Sequence, residues 1–357
     1  MLDLSKLRYR VTCVSDGGQL DLTPISTGLG ISEGAKELAA KIQLKVSAQA
    51  EFNGKSVSEL LKPFVTIVVF ADMGDGYVEV CRGKIQKLSV TETNHDFYLD
   101  VEATDDAGEL RKTQADFYFT ADHTSTAILD EVFKKHGLQV VLNIADIKHS
   151  KKVYRGKYLA DIVDDVLKDI REAGKGDYFV RSTCGKIEIV KRGDNLTCWS
   201  FDAAENVSKV SESYDASKTV TQVQVVGKSK DEGHPPVEQT VNGRIDTGTR
   251  KIIYRRPSNE TPADAEKAAK KILDEQGEPK LKLTIETVDV PTLRKNDRIR
   301  LRTATGTKFY TVSSARHNCV SRKMTLELAY DKDADKSLLG QFFGLADGST
   351  SDSTAPP

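Results

Sequence analysis

Apolar and polar residues alternate with a period of two through much of the first hundred residues. Residues 64–70, 77–81 and 97–103 carry β-branched and aromatic side chains at strand spacing. The Asp75-Gly76 step between the first two predicts a hairpin, and the third run adds an antiparallel strand. Residues 9–14 read as a further short strand. Residues 38–46 read either way: Ala39-Ala40 favours helix, whereas Ile42, Leu44 and Val46 alternate like a strand.

The period then changes. Thr124 or Ser125 is placed to cap a helix carrying Ala127, Ile128, Val132 and Phe133, with Gly137 as its stop. Over residues 158–172, Leu159, Ile162, Val163, Val166, Leu167 and Ile170 share one helical face. Two short strands follow, 178–181 and 186–190, around a Cys184-Gly185 turn. In the last third, residues 219–226 alternate. Residues 228–243, with Gly233, Pro235, Pro236 and Gly243 among charges, predict a mobile loop. Thr261 caps a helix with Pro262 at its first position and Gly277 at its end. Strands are predicted over 280–288, 297–303, 308–313 and 323–330. Residues 346–357, rich in Ser, Thr, Asp and Pro, predict a disordered tail.

One pattern occurs twice. Residues 64–103 read strand, glycine-containing turn, strand, loop, strand, and residues 297–329 read the same way. Each closes on an alternating strand, Tyr98-Leu99-Asp100-Val101 in one and Thr325-Leu326-Glu327-Leu328 in the other. The chain is therefore expected to be α+β and β-rich, with two antiparallel β-barrel modules flanking a small α+β domain. The expected divisions are 1–108, 109–203, 204–335 and a tail at 336–357.

Charge bears on the strand near residue 300. In Arg298-Ile299-Arg300-Leu301-Arg302 the arginines share one face and the apolar residues the other. Such a face suits phosphates, a carboxylate-rich partner, or protection of a sheet edge. The whole chain balances 52 Lys and Arg against 53 Asp and Glu, for a net charge of -1, which argues against nucleic-acid binding as its main task. A second candidate surface is the apolar run at 337–345, with Leu338, Leu339, Phe342 and Phe343. It either packs back on its own domain or docks a partner.

No catalytic constellation is legible. The five cysteines form no CxxC, so neither a disulfide framework nor a zinc site is expected, and they read as small buried residues. The six histidines read as surface or loop residues. Adjacent acids such as Asp105-Asp106 and Asp164-Asp165 are ordinary in so charged a chain. Residues 28–34, with Gly28, Gly30 and Gly34, miss the dinucleotide-loop spacing and read as a flexible loop. Residues 331–335 open like a calcium loop, but Lys336 and Phe342 stand at its glycine and glutamate positions, so the run reads as solvated charge. No cofactor is expected. The amino-terminal residues lack a signal-peptide pattern, and the longest apolar run, 64–71, is too short to cross a bilayer. A chain made and folded in the cytoplasm, without a membrane anchor, is expected.

The order of segments resembles a known family. The stretches "ENVSKVSESYDASKTVTQVQVVG", "DAEKAAKKILDE", "LKLTIETVDVPTLRKNDRIRLRT", "FYTVSSARHN" and "MTLELAY", preceded by "CRGKIQKLSV" with "FYLDVEATD" and by "VYRGKYLADIVDDVLKDI", are similar to the YqbQ/XkdQ-type hub proteins of phage tails and of defective phage or tailocin particles. The likeness spans residues 5–335. One departure is Lys295-Asn296-Asp297, where the family has a Gly-Asp turn; asparagine tolerates the left-handed backbone such a turn needs. The resemblance implies a non-enzymatic baseplate hub at the centre of a virion or tail-like particle, assembled in the host cytoplasm. It implies a homotrimer that adapts a six-fold tail tube to a three-fold spike. The implied partners are the tail tube protein, the central spike or its adaptor, baseplate wedge and tape-measure proteins, with DNA passing through the lumen. In that setting Arg298, Arg300 and Arg302 form an assembly surface or lumen wall. The rival expectations are a tail-associated peptidoglycan hydrolase and an oligonucleotide-binding β-barrel.

Overall fold

In the computed structural model, residues 6–15, 18–52, 54–94, 97–228, 234–246 and 248–331 are described. The chain opens with β1 (Arg8–Ser15), β2 (Gly18–Asp21), β3 (Ser26–Glu33), β4 (Lys41–Ser47), the short β5 (Glu51–Phe52) and β6 (Lys55–Ser56), and the single turn α1 (Val57–Leu60). β7 (Thr66–Asp72), β8 (Tyr77–Glu92) and β9 (Phe97–Thr104) follow. The middle contains β10 (Gln114–Phe119), α2 (Ser125–Lys135), β11 (Val140–Leu142), β12 (Lys152–Tyr158), α3 (Leu159–Glu172), β13 (Tyr178–Thr183) and β14 (Lys186–Lys191). Then come β15 (Trp199–Asp202), β16 (Val207–Asp215), β17 (Gln222–Val226), β18 (Val237–Asn242), β19 (Lys251–Arg255) and α4 (Pro262–Gln276). The last strands are β20 (Lys280–Val288), β21 (Arg298–Thr303), β22 (Gly306–Asn318) and β23 (Lys323–Tyr330). The fold is α+β and mainly β.

Two compact units are distinguished. One comprises the chain up to Val210 together with the chain from Thr284 onward; the other is Ser211–Leu283. In the smaller unit β17 lies between β18 and β19, and Val220, Val223 and Val225 pack with Ala265 and Ala269 of α4. Thr261 caps α4 as expected, with its hydroxyl accepting from Asp264 N–H while the Asp264 carboxylate accepts from Thr261 N–H.

In the larger unit the middle segment packs α2 and α3 around Phe117, Phe119, Val180 and Ile189. The face foreseen on α3, from Leu159 to Ile170, is buried there. The β modules share one sheet. Among the described residues its order is β16-β20-β23-β22-β3-β4-β9-β8-β7-β1-β2, with β21 and β15 branching from β22.

The repeated pattern in the sequence corresponds to a repeated register. β8 is a 16-residue strand, β22 a 13-residue one. The first half of each pairs with the strand before it, and the second half with the strand after it. Both carry a bulge at the same place: the ladder shifts between Ile85 and Lys87 opposite β9, and between Val312 and Ser314 opposite β23. Aligning Ile85 with Val312 also aligns Gly83 with Tyr310 and Ile67 with Ile299, by the ladders to β7 and β21. The turn entering each module matches as well. Phe64 N–H donates to Ile85 carbonyl and Ile85 N–H to Val65 carbonyl; Asn296 N–H donates to Val312 carbonyl and Val312 N–H to Asp297 carbonyl. Phe64 and Asn296 both adopt positive φ, 73° and 70°. The Asn at the departure from the family pattern thus sits in the left-handed conformation it was expected to tolerate.

Three readings are corrected. Residues 28–34 are not a flexible loop: residues 26–33 form β3, inside the sheet, and bury Leu29, Ile31 and Glu33 on alternate positions. A side chain at Gly30 would lie 3.2 Å from the His317 carbonyl, so close packing of β3 on β22 explains that glycine. The loop expected over 228–243 contains β18, paired with β17, at 237–242; residues 229–233 lie outside the described set. Among the cysteines, Cys13, Cys81 and Cys319 are buried, whereas Cys184 and Cys198 are exposed.

Candidate assembly interface

β21 alternates as its sequence dictates, with Ile299 and Leu301 buried and the arginines on the other face. It is not an edge strand: β22 pairs with it antiparallel and β15 parallel, placing Ser200 opposite Arg300 and Asp202 opposite Arg302. β15 therefore brings an acid to the basic face. Arg302 forms an ion pair with Asp202 and lies 3.8 Å from Glu205. Arg298 Nε donates to Asp331 Oδ2 at 2.9 Å. Arg300 Nε donates to Ser200 Oγ at 3.2 Å and, among the described residues, is within ion-pair distance of no carboxylate. Of the three arginines the sequence groups together, Arg300 is the one without an acidic partner among the described residues. The other candidates, Leu338, Leu339, Phe342 and Phe343, lie outside the described residues.

A buried charge cluster that sequence reading missed holds together the three segments of the larger unit. Arg294 Nη2 lies 2.7 Å from Glu33 Oε1, and its Nε 3.3 Å from Oε2. Its Nη1 donates to the Ser182 carbonyl at 2.6 Å. Glu33 also accepts from Lys295 N–H at 3.0 Å. Asp297 accepts from Arg294 N–H at 2.9 Å and lies 3.5 Å from Arg181 Nη1. Asp105 accepts from Ala40 and Ala107 N–H and lies 4.0 Å from Arg294. Burial alone pushes Glu33 upward, but the Arg294 guanidinium and Lys295 N–H outweigh it and hold the carboxyl below the usual range. Asp105 and Asp297 have weaker compensation, and burial pushes them up to about 7 and about 6. One charged pair thus joins β3 to the turn before β21, and the same guanidinium clasps β13 of the middle segment. No chemistry on a substrate follows from it; a lock between segments does.

Two histidines expected at the surface are buried. His149, 4% exposed, sits between Ser125 Oγ and Asp169 Oδ2, each 2.8 Å from a ring nitrogen. The order Ser-His-Asp matches a hydrolase triad in connectivity, but Ser125 is wholly buried at the start of α2 and also bonds the Ile147 backbone. Lys152 further binds Asp169 and Asp165. His317 is held by Asp289 at 2.7 Å, and Asp289 also accepts from Tyr9 hydroxyl at 2.7 Å. Burial pushes the neighbouring Cys319 thiol well up, which makes it a poor nucleophile. Strand parity was the available signal for His317, which follows Ala315 by two positions. For His149, in an irregular segment, there was none. Among the described residues no cluster of His, Cys, Asp and Glu is fit to hold a metal ion, and no helix is long and apolar enough to cross a membrane.

Comparison with known proteins agrees with this architecture. A solved structure of the prophage MuSo2 43 kDa tail protein from Shewanella oneidensis is similar at a TM-score of 0.67 and 14% identity, covering 91% of this chain and 98% of that one. A tail protein from Neisseria meningitidis is similar at 0.64 and 12%, covering 91% and 97%. The E. coli c3393 protein, described as a type VI secretion component similar in structure to the T4 tail proteins gp27 and gp5, matches at 0.52 and 10%, covering 87% and 74%. At these identities the likeness is one of fold. No curated protein sequence matches the chain. A family model described as YQBQ-like matches residues 67–330, most of the length, and the chain belongs to the YQBQ-like family.

Proposed function

We propose that this protein is a structural hub of a phage or phage-like tail baseplate, a homotrimer in which two tube-like modules per chain, within 1–108 and 204–335, flank the middle domain 109–203. The observation that carries this reading is the duplication: two modules with the same ladders, bulge and left-handed entry turn, joined edge to edge by β22 and β3 in one chain. Three such chains present six equivalent modules while keeping three-fold symmetry. That is what an adaptor between a six-fold tube and a three-fold spike requires. The fold shared with tail proteins, and with a secretion protein likened to gp27 and gp5, supports a place between tube and spike.

The hub is not an enzyme in this reading. The Ser125–His149–Asp169 chain is a structural brace, and zymography on peptidoglycan is expected to give no clearing band. In this role the Arg300 face meets neighbouring tail proteins or lines the lumen through which DNA passes. The deciding experiment is light scattering on the chain alone and co-expressed with the tube and spike proteins. At 39.3 kDa per chain a trimer weighs about 118 kDa. A strict monomer in every combination overturns the hub.

A further inference from the structure

β8 and β22 are equivalent strands with unequal neighbours. One side of β22 carries β23; the other carries β21 along 306–311 and β3 along 315–318. β8 likewise carries β9 on one side and β7 along 77–84 on the other. From Leu88 to Thr91, which match 315–318, no strand lies on that other side among the described residues. Exposure follows. Ala315 and His317 are buried, at 0% and 4%, whereas their counterparts are a half-buried Leu88 and a Val90 that is 58% exposed. Leu88 and Val90 lie opposite Val101 and Leu99, which are core residues. The apolar core of the first module therefore opens at this edge.

The far end of the sheet offers the matching piece. The sequence β3-β4-β9-β8 in one module reads β16-β20-β23-β22 in the other. Backbone bonds fix the equivalence: Ala48 N–H donates to Phe97 carbonyl after β4, and Asp289 N–H donates to Arg322 carbonyl after β20, both at 3.0 Å. β16 thus holds the place of β3. Among the described residues it pairs with β20 alone, and every residue of it after Val207 is exposed. It contains no proline, and its charges, Lys209, Glu212 and Asp215, are spaced along an otherwise polar and apolar strand that retains the backbone groups needed for strand addition.

We propose that β16 of one chain adds antiparallel to the open edge of β8 in a second copy over Leu88–Thr91. This repeats between copies the joint that β3 makes with β22 inside the chain. The inference rests on the hub reading and names its self-contact. The two surfaces differ, so the contact is head-to-tail, and a ring closes only when the last β16 meets the first β8.

The test compares wild type, Val90→Glu and, as a control away from the edge, Val153→Glu, using light scattering across a dilution series. Hydrogen exchange is followed on the same samples. Val90→Glu is expected to raise the concentration at which the trimer dissociates by at least about tenfold, since a carboxylate must be desolvated at each joint. Val153→Glu leaves it unchanged. Amides of 88–91 and of β16 gain protection in the wild-type trimer and lose it on dilution. A trimer indifferent to Val90→Glu, or protection confined to other strands, overturns the joint and leaves the hub standing. A wild-type chain that is monomeric even with its tail partners overturns the hub itself. If Val90→Glu fails to fold, the wild-type exchange pattern decides alone.

Discussion

Replacing Arg294 with Met should unlock the larger unit. The Arg294 and Glu33 side chains are 14% and 9% exposed, and the guanidinium serves both Glu33 oxygens and the Ser182 carbonyl. Methionine fills similar space but leaves Glu33 charged and buried, with the backbone N–H of Lys295 as its remaining short hydrogen bond. Breaking a buried pair from one side costs about 3–5 kcal/mol. Replacing both partners with apolar residues removes the orphaned charge, so Arg294→Met with Glu33→Leu should cost less than Arg294→Met alone. Trp199 is the chain's single tryptophan; it lies in β15 beside Ile299 and reports on the larger unit in a urea titration. The sign with pH is fixed by Glu33. Its folded pKa is lowered, so its stabilisation is present above the usual glutamate value, about 4.3, and is lost as pH falls through the folded value. The Arg294→Met penalty should therefore shrink on acidification. A penalty below about 1 kcal/mol at neutral pH, or simple additivity in the double variant, would refute a charge lock.

Further outcomes follow from neighbouring features. Phe64 holds φ 73° with 73% exposure, so Phe64→Gly should raise stability by about 1 kcal/mol in urea unfolding, while Asn296→Ala at the matching turn should lower it by a similar amount. Asp105 is raised from the carboxylate range to about 7, so the folded chain binds its proton more tightly than the unfolded one. Stability should fall as pH rises from about 4 to about 7, and this slope should flatten in Asp105→Asn when followed by thermal melts. Exchanging all three strand arginines for Glu should block particle assembly, but it also replaces the arginine partners of Asp202 and Asp331 with like charges. Arg300→Glu alone is the cleaner test, with trimer and tube binding read by co-sedimentation; normal assembly would remove the interface role.

Much of the local structure was legible because local periodicity reports burial. Alternation marked β20 and β23 at their observed bounds, and the 3.6-residue face with Thr261-Pro262 marked α4. The repeat was visible as a pattern. What it meant was not, because ladder register and strand neighbours are set by contacts far apart in sequence. β3 looked like a glycine-rich loop because its partners β4 and β22 are a short and a very long step away. Gly30 makes sense only against the His317 carbonyl. The arginine face was correctly placed on one side of β21, yet its electrostatic character depends on β15, which the chain delivers from about a hundred residues upstream. Asp105 read as one of two ordinary adjacent acids, and nothing in the sequence singled out Arg294 or Glu33. Only the joining of three segments removes them from water, and the same event turns them into a lock. The sequence by itself determined strands, caps and the existence of two similar modules; the tertiary structure decided which edges were used, which charges were neutralised, and which stretch of β8 was left open among the described residues.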